Sequence, residues 1–181
     1  MLTDPIARRY FVMNTFDGVL TVMGLVLGGA LTIADPLTVF KTGLGASLAI
    51  AISGFFGAYM AEQAEQTAEI KNLERQLLHS LKGTDIHKKA KKKVLMLAMV
   101  DGISPFLGSF LPLLPFLLSH LGFLSFGVAF VSSLALAFLI LLMLGFYLGK
   151  IMNERPWKSV LVFVIGGVLI GVLGSLIERL L

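Results

Sequence analysis

Five long apolar runs, separated by short polar or charged stretches, organise this chain: Phe11 to Ile33, Leu37 to Ala61, Val94 to Ser119, Leu121 to Gly149 and Val160 to Ile177, the last span opening near residue 157. Each is long enough to cross a hydrocarbon core of about 30 Å as a helix. Period-two alternation is absent, and the runs far exceed the ~10 residues of a barrel strand. The pattern predicts an all-α polytopic membrane protein, a single transmembrane domain over residues 1–181 with five transmembrane helices. One substantial polar segment, residues 62–93, lies between spans two and three. Its first part, AEQAEQTAEIKNLERQLLHSL, has neither Gly nor Pro until Gly83. It therefore continues the helix of span two as a short helical insertion, expected on the cytoplasmic side.

Composition agrees with the pattern. Of the 181 residues 56% are hydrophobic and the mean hydropathy is +0.89, which is not how a soluble domain of this length is written. With the N-terminus in the cytoplasm, thirteen of the fifteen Lys and Arg fall inside, leaving Lys41 and Arg179 outside. The positive-inside rule then sets the N-terminus cytoplasmic and the C-terminus outside. Tyr10, Tyr59, Tyr147 and Trp157 all fall at the cytoplasmic ends of spans, where amphipathic rings favour the headgroup layer. The pI near 9.5 needs no nucleic acid to explain it, because the lysines from Lys88 to Lys93 face anionic membrane lipid. Cysteine is absent, so no disulfide framework or thiolate metal site is available. The first run is too long for a cleavable signal, carries Asp17 and lacks a small-residue cleavage pattern.

Two spans carry an Asp-Gly pair at membrane depth. Asp17-Gly18 stands in FDGVLTVMG and Asp101-Gly102 in VDGISPFLG, each with a second glycine six residues on, Gly24 and Gly108. A charged carboxylate near the bilayer centre costs roughly 2.5 to 3.5 kcal/mol even on an insertion scale, so the default reading is a cation or proton pathway. The D-G-x5-G pattern recurs 84 residues apart, and Gly57-x-x-Met60-x-Glu62 recurs as Gly149-x-x-Met152-x-Glu154. A parallel repeat of two hairpins would set both aspartates at one depth; short glycine matches also arise easily in membrane sequence.

Glu62, Glu65 and Glu69 share one face of the helix leaving span two, an acidic face that is either solvated or metal-binding. Asp17, Asp101, these three glutamates and Glu154 all project toward the cytoplasmic third, accompanied by Met60, Met96, Met99 and Met152. We assign Asp17, Asp101, Met23 and Met99 to the transport pathway, and Asp17, Asp101, Glu62, Glu65, Glu69, Met60 and Glu154 to metal. Carboxylates with carbonyls suit Mg, Ca and Mn, and thioethers shift preference toward Fe(II). Methionine is equally ordinary helix filler. Pro105, Pro112 and Pro115 each remove a helical donor, freeing carbonyls that include that of Asp101; these oxygens can meet a cation, Ser104, Ser109 or water. A carboxylate in such a path can exchange a proton for a metal ion, which makes antiport a concrete mechanism. Gly-x-x-x-Gly pairs at Gly24/Gly28, Gly145/Gly149 and Gly167/Gly171 favour a packed bundle or dimer.

FDGVLTVMGLVLGG, AISGFFGAYMAEQAEQ and FLPLLPFLL, in that order and spacing along essentially the whole chain, resemble the vacuolar iron transporter family. The resemblance implies a homodimer that moves Fe(II), often also Mn(II), out of the cytosol in exchange for protons, with no resident cofactor. It implies a place in the translocation path for Asp17 and in metal collection for Glu62, Glu65 and Glu69. Alignment through AISGFFGAYM puts Ala46 and Gly54 where other members carry a path-lining glutamate and methionine. The insertion is also shorter, so the second half of the metal-collecting domain is missing. Asp101 has no counterpart in those members and is the candidate replacement, in a divergent relative whose ion need not be iron.

Two other classes fit the sequence less well. An intramembrane aspartyl protease needs two embedded aspartates, but neither a GxGD-type motif nor a Pro-Ala-Leu motif is present. A non-transporting scaffold would pair Asp17 and Asp101 with basic groups, and spans one and three contain no Lys, Arg or His. The expectation is a non-enzymatic exporter whose partners are divalent metal, protons, membrane lipid and a second copy of the chain.

Overall fold

The computed structural model describes residues 4–29, 35–153 and 155–180. Among them are five α-helices and no strand: α1 (Pro5–Gly29), α2 (Pro36–Leu77), α3 (Asp85–His120), α4 (Phe126–Met152) and α5 (Pro156–Leu180). All five are long and apolar enough to cross a membrane. The end of the first apolar run at Ile33, and Glu154, lie outside the described residues.

Local sequence sets the helix ends. Asp35 caps α2 by accepting from the amides of Leu37 and Thr38, with Pro36 in the first turn, where its missing N–H costs nothing. Thr84 caps α3 and Ser125 caps α4. The apolar run from Leu121 does not open a helix at once. Gly122 takes φ 82°, which only glycine adopts without strain, so the chain turns here and α4 begins after the Ser125 cap. At the opposite end of the bundle α2 runs on without a break to Leu77, and a turn returns the chain into α3 at Asp85.

Helix α3 is the hub. It packs against α1, α2 and α4, while α5 closes on α4 and α1. Half of its apolar stretch is buried, against 11% for α2, whose Leu48, Ile52 and Phe56 point outward. Its three prolines, Pro105, Pro112 and Pro115, are all buried within one continuous helix. Ser104 donates to the carbonyl of Val100, and Ser109 donates to those of Pro105 and Phe106 at 2.8 and 3.1 Å. The serines therefore serve other carbonyls than that of Asp101.

Glycines decide where the helices touch. A Cβ on Gly18 would collide with the main-chain carbonyl of Pro105, and one on Gly108 with the carbonyl of Thr15, so α1 and α3 meet backbone to backbone. Gly145 and Gly149 give α4 the same closeness to Val160 and Pro156 of α5. A Cβ added to Gly28 or Gly171 would meet nothing within 4 Å among the described residues.

Three apolar clusters fill the bundle among the described residues, the smallest being Ala7, Leu97 and Val100 between α1 and α3. Val19, Met23, Leu141, Leu144 and Phe163 join α1, α4 and α5. Val22, Val26, Val39, Leu113, Phe116 and Ala129 join α1 to α4 at the Gly122 end. The edge-on contacts Phe11 to Tyr147 and Phe146 to Trp157, with the bond from Tyr10 to Glu62, gather the interfacial aromatics at the other end.

Candidate functional site

A polar stripe runs down α1. Tyr10, Asn14, Asp17 and Thr21 follow one another at four, three and four residues, which stacks them on one helical face. Two of them reach other helices. The Tyr10 hydroxyl donates to Glu62 Oε1 of α2 across 2.7 Å, and Asn14 Nδ2 donates to Asp101 Oδ1 of α3 at 2.5 Å. The third, Asp17, is exposed on the bundle surface, and its main-chain oxygen accepts from Thr21 Oγ1 at 2.8 Å.

The result is a ladder of three carboxylates. Glu62 is buried, with 7% of its surface exposed, Asp101 is half-buried, and Asp101 lies within electrostatic reach of both Asp17 and Glu62. Among the described residues none of the three pairs with a lysine or arginine. Uncharged donors hold Glu62 and Asp101, which orients the carboxylates without supplying a countercharge. Among the described residues no three acidic or histidine side chains close into a metal cage. Acidic groups strung along a helix seam suit an ion that must be released again, because tight multidentate binding would trap it.

Gly54 of α2 completes the arrangement. A Cβ there would lie 2.9 Å from Asp101 Oδ2 and 3.2 Å from its main-chain oxygen. Next door, a Cβ on Gly102 would meet the Ala51 carbonyl at 2.8 Å. The two helices thus cross at closest approach beside the carboxylate.

The other candidates are dispersed. Glu65 and Glu69 are exposed on the polar arm of α2, and Met60 is 65% exposed near its base. Met99 lines an apolar groove with Leu48, Ile52 and Phe55. Met23 is packed in the core with Leu141 and Phe163, because six residues of helix turn it about 120° away from Asp17. The roles of Tyr10, Asn14 and Gly54 escape a reading by residue type, since none is a strong metal ligand. Their signal was the spacing of Tyr10 and Asn14 upstream of Asp17, a polar line through an otherwise apolar helix.

This layout of five helices, with acidic groups on α1, α2 and α3, is accompanied by a match along the chain. The model of the VIT family matches residues 8–80 and 78–179. An uncharacterised protein of Methanocaldococcus jannaschii, MJ0645, is 33% identical over 174 residues, covering 94% of this chain and 88% of the relative. With both segments of the match spanning the helices that carry Asp17, Glu62 and Asp101, the chain belongs to the VIT family.

Proposed function

We propose that this protein exports a divalent transition metal, Fe(II) or Mn(II), from the cytosol in exchange for protons. Membership of the VIT family supports membrane transport of metal ions rather than an enzymatic reaction. The observation that carries the reading is the ladder of Glu62, Asp101 and Asp17, which runs from the point where α2 leaves the bundle into the apolar spans with no basic partner among the described residues. Such groups are retained in lipid when a cation needs them.

In this mechanism Glu65 and Glu69 on the arm of α2 collect the ion from the cytoplasm, Glu62 receives it, and Asp101 and Asp17 carry it across. Hard carboxylate oxygens bind Mn(II) and Fe(II) well. Protons entering from the far side discharge the carboxylates and release the ion. The N-terminus and the arm are cytoplasmic, following the excess of Lys and Arg there. The exposed carboxylate of Asp17 supports a homodimer, since a second copy would shield it from lipid.

Proteoliposomes loaded with a pH-sensitive dye test this. Adding Fe(II) or Mn(II) on the arm side should produce metal uptake and opposite proton flux, with Zn(II), Co(II) and Ca(II) ranking the selectivity. Metal movement with no proton signal would remove antiport, and no movement of any ion would remove transport.

A further inference from the structure

The seam between α2 and α3 carries two recesses that the carboxylate ladder does not use. Within the apolar spans, a groove of about 310 Å³ is lined by Leu48, Ile52, Phe55 and Phe56 of α2 and by Met99 and Ile103 of α3. Toward the arm, a cavity of about 390 Å³ is lined by Tyr59, Gln63, Gln66 and Thr67 of α2 and by His87 and Lys91 of α3. Asp17, Glu62 and Asp101 line neither.

Helical spacing makes the two recesses one strip. On α2, Ile52, Phe55, Tyr59, Gln63, Gln66 and Ile70 follow at three or four residues, and on α3 so do His87, Lys91, Leu95, Met99, Ile103 and Phe106. Each set therefore shares one helical face. The rings of Phe55 and Tyr59 stack with centroids 6.4 Å apart, which joins the groove to the cavity.

The chemistry changes along the strip at Tyr59, the ring that marks the headgroup layer. On the membrane side every lining residue is apolar. On the arm side the polar lining consists of amides, a hydroxyl, an imidazole and an ammonium, with no carboxylate. Lys91 makes no ion pair among the described residues, whereas Lys88 pairs with Asp85. Amide, hydroxyl and ammonium groups donate to phosphate oxygens. Ile52, Phe56 and Met99 are exposed and gain from contact with an acyl chain. An apolar trough that ends in a cationic, donor-rich cup is the complement of a molecule with both tails and a phosphate.

We propose that the α2–α3 seam binds one anionic phospholipid from the leaflet on the arm side, its phosphate in the cavity at Lys91 and an acyl chain in the groove past Ile52 and Met99. This differs from a general attraction of the lysine run to a charged membrane. Lys91 lines the cavity, and Lys88, Lys89, Lys92 and Lys93 do not. The bound lipid ties the base of the arm to α3, whichever ion the protein carries.

Native mass spectrometry of the full chain in detergent tests this, with phosphatidylglycerol titrated against phosphatidylcholine of the same acyl chains. The first phosphatidylglycerol on each chain should bind at least about fivefold more tightly than phosphatidylcholine. Lys91→Gln should weaken phosphatidylglycerol about fivefold, and Lys91→Arg should retain it. Lys92→Gln, an equal change of charge at another exposed lysine, should bind as wild type does. Ile52→Trp, which fills the groove, should weaken both lipids; melting temperatures identify a variant that has not folded, and the lysine pair then decides. Glycerophosphoglycerol, the headgroup without chains, should leave the lipid in place at equal concentration. Equal losses in Lys91→Gln and Lys92→Gln, or no preference for the anionic lipid, overturn the site. Displacement by the chain-free headgroup at equal concentration overturns the lipid in favour of a soluble phosphate ester.

Discussion

The hydroxyl of Tyr10 is bonded to Oε1 of Glu62, so the first turns of α1 are fastened to the point where α2 leaves the bundle. Glu62 is 7% exposed, and a buried carboxylate deprived of its donor is costly. Tyr10→Phe keeps the ring and deletes the donor, and should destabilise the protein by about 1 to 3 kcal/mol. Thermal unfolding in detergent should show a larger drop for Tyr10→Phe than for Tyr59→Phe, whose ring is 36% exposed.

Asp17 gives the opposite prediction. Its side chain is exposed, so Asp17→Asn should leave the stability within about 0.5 kcal/mol of wild type. Metal flux should fall at least ~100-fold, because the amide neither binds the ion comparably nor releases a proton. Paired flux and unfolding measurements check both halves. Near-normal flux would exclude Asp17 from the path.

Gly18 sits against the backbone of Pro105, and Gly45 faces open space. Gly18→Ala has no flexible neighbour to displace and should cost about 1 to 3 kcal/mol. Gly45→Ala should be neutral or stabilising by about 0.5 to 1 kcal/mol, as an unhindered helix interior prefers alanine. Comparing the two melting temperatures tests whether α1 and α3 cross as described.

The turn after α2 should respond to acid. The Leu81 amide donates to Glu74 Oε1 at 2.7 Å and the Ser80 hydroxyl at 3.2 Å, and the Leu81 bond above all holds this carboxylate below its ordinary range. A depressed folded-state value means that the stabilisation is complete above the unfolded value of about 4.3 and is lost as pH falls through the lower folded one. The Leu81 amide should therefore be protected from hydrogen exchange near neutrality, with a protection factor that falls as the pH drops through the folded-state value. Glu74→Gln should abolish that pH dependence.

The membrane-spanning pattern was legible because hydrophobic length alone signals it, and the helix from span two into its polar arm because Gly and Pro are absent there. What could not be read is which faces meet. Asn14 and Asp101 lie 87 residues apart, and nothing local in either segment announces the other. Met23 shows the same limit: its residue type suits a pathway, while its helical phase buries it against Leu141. Leu121 extends the apolar run of span four ahead of its helix, and the positive φ of Gly122 is a backbone property that hydropathy does not register. Gly54 is the instructive case. As a residue it offers no chemistry, and its meaning appears only once Asp101 is seen to occupy the space it vacates.

Helix α2 is one unbroken rod of 42 residues, about 63 Å long at 1.5 Å per residue. Glu69 is thereby held about 22 Å from Gly54 along the axis, and Glu65 about 16 Å. Such a spar cannot fold its tip back to hand cargo to Asp101. If the proposed transport holds, an ion caught by Glu65 or Glu69 would have to hop the intervening distance through water, the arm would act as an antenna that raises local concentration, and shortening it by whole turns should slow loading at scarce metal while leaving the saturated rate intact.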